Sequence, residues 1–167
     1  MKKFTYLVAG AVAGVAAMVG ASSASAQSWS PAPANGWALN GVLNVQQTLS
    51  LSCTVTGHAK TYTSNTGDID AFNFSGGLCG GITPNLNWAI EPIYVGSGGG
   101  VRVHINVKAL FSTCSGYIDG ELVGQKIVFN RQEVKKLDGS SNSPKCYVEG
   151  YADLTPTAPN TSPLSIF

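Results

Sequence analysis

Four cysteines and two histidines are the side chains with the widest choice of chemistry in this chain. Cys53 heads the stretch CTVTGHA and Cys146 heads CYVEGYA. Both follow the pattern Cys-x-Val-x-Gly-x-Ala, with Cys79 and Cys114 between them. Cysteines can serve as a catalytic thiolate, a zinc site or disulfides. Zinc sites draw on close pairs such as Cys-x-x-Cys, and no two of these cysteines are that close. A thiolate nucleophile wants a histidine or a helix N-terminus beside it. Only His58 and His104 are available, and neither has a recognisable motif around it. Disulfides are the first reading of an even cysteine count. Four cysteines allow three pairings. Cys53–Cys79 with Cys114–Cys146 is favoured. It joins sequence neighbours and closes two loops of similar length, each stabilising by roughly 3–4 kcal/mol on loop entropy. The main competitor is Cys53–Cys146 with Cys79–Cys114, which would follow if the two matching stretches were adjacent strands.

Other reactive arrangements are weaker. Asp68-Ile-Asp70 and Asp119-Gly-Glu121 place two carboxylates on one side of an extended segment, a donor set that calcium accepts. Turn chemistry accounts for both equally well, and neither fits an EF-hand loop. His104 falls on the polar face of its strand, which suits a solvated histidine. No Gly-x-Ser-x-Gly elbow, phosphate loop or His-Glu-x-x-His pair occurs. The expectation is therefore a protein without catalytic residues, cofactor or metal. Aromatic side chains are the remaining functional material. Trp37, Trp88, Tyr147 and Tyr151 are candidates for an apolar contact patch. The competing reading packs them inside the fold.

The elements that would position these residues are β-strands. In VRVHINVK, Val101, Val103, Ile105 and Val107 alternate with Arg102, His104, Asn106 and Lys108. Period 2 sends the two sets to opposite faces. LSLSCTVTG repeats the theme, with Leu49, Leu51, Cys53 and Val55 facing in. NLNWAI puts Leu86, Trp88 and Ile90 on one face, and IDAFNF, KIVFN and CYVEGYADL read as further strands. SNTGD, GSGGG and DGSSNS are turn-forming clusters. A short helix is conceivable at RQEVKKL, Arg131 to Leu137. The fold class expected is all-β: an antiparallel sandwich or barrel-like domain with two disulfides. A membrane-spanning barrel fits less well, because Ser165 and Pro163 interrupt the alternation a last spanning strand would need.

The ends divide the chain further. Lys2 and Lys3 precede an apolar run from about Leu7 to Val19, and Ala24-Ser25-Ala26 offers a small-x-small cleavage site. This pattern is that of a signal peptide over residues 1–26, and it predicts export to the periplasm, the cell surface or the medium. Residues 27–36 read as a flexible Pro/Ala/Ser linker, 37–155 as the β-domain and 156–167 as a proline-rich tail. The full chain has 10 basic and 9 acidic residues. Without Lys2 and Lys3 the balance is 8 against 9, a net charge of −1. So little charge, at 11% of residues, excludes the electrostatic footprint of nucleic-acid or anionic-membrane binding. It suits self-association or an apolar boundary.

Several stretches taken in order carry a family resemblance. They are SLSCTVTG, then FSGGLCGGITPNLNWAIEP, VRVHINV, LFSTCSG and CYVEGYADLTP. The order resembles that of the PraB-type protein activators of alkane oxidation, which are small secreted bacterial proteins. The resemblance covers about Leu49 to Pro156. Its most specific part is Leu78-Cys79 with Ile82-Thr83-Pro84 and Trp88, set in the four-cysteine frame. The charged segment NRQEVKKLDGSSNSPK departs from the family pattern. The resemblance implies an exported, non-enzymatic factor promoting alkane uptake or oxidation by emulsifying or presenting hydrocarbon. The implied partner is a long-chain alkane or a cell-surface hydrocarbon interface. It gives the four cysteines a structural role and supplies no catalytic residue. The alternative is a surface structural or adhesive subunit assembling through strand edges.

Overall fold

The computed structural model describes residues 27–31, 35–110, 112–159 and 161–167. The expected leader, residues 1–26, lies outside them. In chain order the strands are β1 (Trp29–Ser30), β2 (Asn35–Gln46), β3 (Ser50–Thr61), β4 (Gly67–Ser75) and β5 (Thr83–Pro84). There follow β6 (Trp88–Val95), β7 (Gly98–Lys108), β8 (Thr113–Val123), β9 (Lys126–Glu133), β10 (Tyr147–Pro156) and β11 (Ser165–Ile166). One 3-10 turn, Gly77–Gly81, lies between β4 and β5.

The expected all-β class holds, and the choice between sandwich and barrel is decided. The neighbours run β7-β6-β4-β3-β2-β10-β9-β8, and β8 returns to β7. Every pairing is antiparallel. The sheet therefore closes into an eight-stranded up-and-down barrel, with β5 continuing the edge of β7. Side-chain period 2 makes one row line the lumen and the other face outward. On β3 the inward row is Cys53, Val55, Gly57, Ala59 and Thr61, and Ser52, Thr54, Thr56, His58 and Lys60 alternate outside. On β7 Val101, Val103, Ile105 and Val107 are buried. An apolar lumen inside a polar wall is the reverse of the arrangement in a membrane-spanning barrel.

The two matching cysteine stretches are a geometric pair. β3 and β10 flank β2 on either side, and Leu43 of β2 is opposite Cys53 and opposite Gly150. Cys-Val-Gly-Ala points inward from both. Gly150 has φ +133, and a Cβ there would lie 2.2 Å from the Val42 carbonyl oxygen, so only glycine fits.

Two bulges reset the alternation. Between β3 and β4 the register shifts at His58/Ala59, leaving Asp70 as an extra residue. Inward positions before it are Gly67 and Ile69; after it they are Phe72 and Phe74. A second shift lies opposite Val148 and Gly150, where β9 carries the surplus.

The conceivable helix at RQEVKKL does not form. Arg131–Glu133 finish β9, and Lys135 bridges Tyr117 and Ser141. An uncapped seven-residue segment nucleates a helix poorly. Gln132 instead satisfies strand-like bonds, accepting from Asp119 N at 2.8 Å and donating to Asp119 O at 2.7 Å. GSGGG is likewise only partly a turn: Gly98–Gly100 begin β7.

The segments read as linker and tail close one end of the barrel. β1 pairs with β11 through Trp29↔Ile166 and Ser30↔Ser165. Trp29 is 2% exposed, and Leu164 is also buried. The Trp29 indole donates to Thr63 O at 2.6 Å. A Cβ on Gly99 would lie 2.7 Å from Ile166 Cβ, so the glycine run makes room for the last strand. The pairing joins the two ends of the described chain, a contact that local composition does not encode. Linker residues 32–34 lie outside the described residues.

Candidate functional site

The other end of the barrel carries both disulfides. Cys53 bonds Cys79, tying the 3-10 turn to the top of β3. Cys114 bonds Cys146, tying β8 to β10 across the intervening β9. This is the favoured pairing. The adjacent-strand competitor fails because β3 and β10 are separated by β2.

Between these ties lies a cavity of about 70 Å³. Its walls come from inward positions of β2, β3, β4, β7 and β10: Val45, Leu51, Phe74, Ile105, Val107 and Val148. Leu49 and Leu110 stand at its rim, 46% and 38% exposed. Both belong to the tight turns leaving β2 and β7. No described lining residue is charged. Its floor is a waist of Leu43, Phe72 and Trp88, shared with a second apolar cavity of about 50 Å³ toward the closed end. Phe72 packs 5.0 Å from the Trp88 ring and 5.2 Å from Phe74. The β4 bulge turns Phe72 into this waist. The Trp88 indole is fixed by Asn85 O at 3.0 Å and Asn106 O at 3.1 Å.

The four aromatics expected as contacts separate into two places. Trp37 and Trp88 are inside the barrel, 1% and 4% exposed, and do not reach the surface. Trp37 lines the lower cavity. Tyr147 and Tyr151 are half-buried on β10. Arg131 covers the Tyr147 ring at 5.0 Å, and Lys126 covers the Tyr151 ring at 4.1 Å. Leu49, Leu78 and Leu110 are exposed at this end, and none was singled out as a contact. Leu49, expected to face in with Leu51, Cys53 and Val55, stands instead in the turn before β3, where the alternation of the strand does not reach it.

The outer wall spends its charges on itself. Asp70 accepts from His58 at 2.8 Å and pairs with Lys60. Burial would raise the Asp70 carboxyl, but hydrogen bonds from Lys60 and His58 outweigh it and hold it below the usual range. Arg102 grips Asp119 at 2.7 and 2.9 Å. These pairs occupy one carboxylate of each candidate calcium pair. Tyr62 takes Asp68. Among the described residues no group of three or more metal-binding side chains converges. Near the open end, a hydrogen bond from Ser141 and then Lys135 hold the Glu133 carboxyl below its usual range.

The stapled end of the barrel thus presents an uncharged, apolar mouth. Residues 1–162 match the family described as alkane oxidation protein activator, PraA/PraB-like. The chain belongs to this family. The PraA/PraB-like description is that of an activator of alkane oxidation rather than of an enzyme. No curated protein and no solved structure gives a significant match. Among the described residues no helix is long and apolar enough to cross a membrane.

Proposed function

We propose that this PraA/PraB-like protein is an exported, non-enzymatic accessory factor that meets hydrocarbon at the open end of its barrel. The observation that carries this reading is the uncharged cavity between Leu49 and Leu110. Apolar surface left in water at a rim is recovered when hydrocarbon covers it, at about 25 cal/mol per Å². The cavity is about half the size of one of about 150 Å³ that takes a benzene ring. It receives the end of an alkyl chain and leaves the rest outside, which suits presentation of a hydrocarbon rather than its enclosure. Family membership supports the link to alkanes. Export is supported by the basic, apolar and small-residue pattern of residues 1–26 and by two disulfides, which persist in oxidising compartments. Barrel closure leaves few free strand edges, which weighs against assembly by strand addition.

The test is growth of a deletion strain on hexadecane and on acetate, with purified protein added back to the medium. The expected result is a defect on hexadecane alone, repaired by the added protein. Equal growth of deletion and parent on both carbon sources would overturn the reading.

A further inference from the structure

We infer that the open-end cavity is a binding site for a short primary alcohol, with the alkyl chain in the lumen and the hydroxyl on the side-chain amide of Gln47. The inference rests on the reading that this end of the barrel meets hydrocarbon, and it adds a preference within that chemistry.

Gln47 occupies the turn between β2 and β3 and lines the cavity mouth. Its Nε2 donates to Ser112 Oγ and lies 3.4 and 3.5 Å from the sulfurs of Cys114 and Cys146. The amide is thereby laid across the disulfide. Its other end, Oε1, is buried and has no partner. Two other polar groups around this cavity are engaged. Gln46 accepts from Arg131, and the Trp88 indole donates to two carbonyls.

A buried amide oxygen without a donor is costly, and a ligand that supplies one removes the cost. An alkane seated here supplies none. A carboxylate brings only acceptors and a charge, and no described lining residue offers a counter-charge. A neutral hydroxyl donates directly to Oε1. If the two ends of the amide are exchanged, the hydroxyl accepts instead, so the match survives either orientation. The cavity volume of about 70 Å³ accommodates about three carbons, judged against the six of benzene in a cavity of about 150 Å³. The ligand class is then a primary alcohol of about that length.

The experiment is an NMR titration of the purified protein, disulfides intact, with 1-propanol, propane and propanoate. The signals followed are the methyls of Val45, Leu49 and Ile105 and the Trp88 indole. The expected result is 1-propanol binding about five- to tenfold more tightly than propane, the size of one net hydrogen bond, with propanoate weakest. In Gln47→Leu the preference for the alcohol should vanish while propane still binds. Equal binding of 1-propanol and propane by the parent protein would overturn the inference and leave the hydrocarbon reading intact. So would a preference that persists in Gln47→Leu, since another group would then hold the hydroxyl. Shifts with none of the three would also overturn it, and the hexadecane growth test would then judge the hydrocarbon reading separately. The parent protein's own preference decides the matter if Gln47→Leu fails to fold.

Discussion

The two ends of this barrel solve the same problem in different ways. Each must finish a lumen lined with apolar side chains. The closed end does so by packing: Trp29 and Leu164, carried by the chain's two outlying segments, lie over Trp37 and Leu154. The open end does so by covalent bonds. Cys53–Cys79 and Cys114–Cys146 hold its loops in place without filling the space between them. Packing excludes a ligand, whereas a disulfide fixes a loop and leaves room beside it. The staples lie at the end where Leu49 and Leu110 stay exposed. An exposed rim contributes little by burial, and the covalent ties supply there what packing supplies at the other end.

Mutations at each end sharpen this contrast, and the largest effect is expected at the packed end. Trp29→Ala removes a buried indole and its bond to Thr63. It should lower unfolding free energy by about 3–5 kcal/mol in urea titrations, with rescue on hexadecane unaffected wherever the protein remains folded. A loss below about 1 kcal/mol would mean that the terminal segments do not close the barrel.

Next comes the stapled end. Replacing Cys114 and Cys146 together by serine opens a 32-residue separation and should cost about 3–4 kcal/mol on loop entropy. Unlike Trp29→Ala, it should also impair add-back on hexadecane under conditions where the variant is folded, because the mouth loses its frame.

A smaller effect appears in acid. The Asp70 carboxyl lies below its ordinary value in the folded protein because Lys60 and His58 favour its charged form. Its stabilisation is complete above the ordinary value of 3.8. It is lost as pH falls through the lower folded value, since protonation then favours the unfolded chain. Asp70→Asn should flatten the fall of stability below about pH 3.8, read by urea midpoints across an acid series. An unchanged acid limb would show that the pair on this wall contributes nothing.

The smallest stability change belongs to the rim. Leu49→Ser with Leu110→Ser should alter unfolding free energy by no more than about 0.5 kcal/mol per site, as at ordinary surface positions. It should nevertheless weaken rescue on hexadecane. Full rescue by this variant would break the contrast drawn between the ends.

Much of the site was legible in particular residues. Val101 to Val107 announced an inward row, and the four cysteines announced two ties in the pairing found. Trp88 was a candidate for an apolar contact patch, whereas the structure buries it at the lumen's waist. Phe72 and Phe74 could not be assigned a face, because alternation from Ile69 onward predicts the wrong parity until the Asp70 bulge is known. Gln47 gave no signal at all: its unpaired oxygen exists only where the turn after β2 meets the disulfide joining β8 and β10.

Strand content, the face of most residues and the presence of covalent ties could be read along the chain. These follow from period 2 and from cysteine spacing, which are local properties. Closure of the sheet on itself, the sealing of one end by the flanking segments and the open mouth left at the other emerge in three dimensions. Alternation specifies which side chains share a face, while closure, sealing and leftover volume depend on contacts between residues far apart in the chain. Trp29 against Ile166 and Gln47 against Cys114 are such contacts, and no neighbouring residue records them.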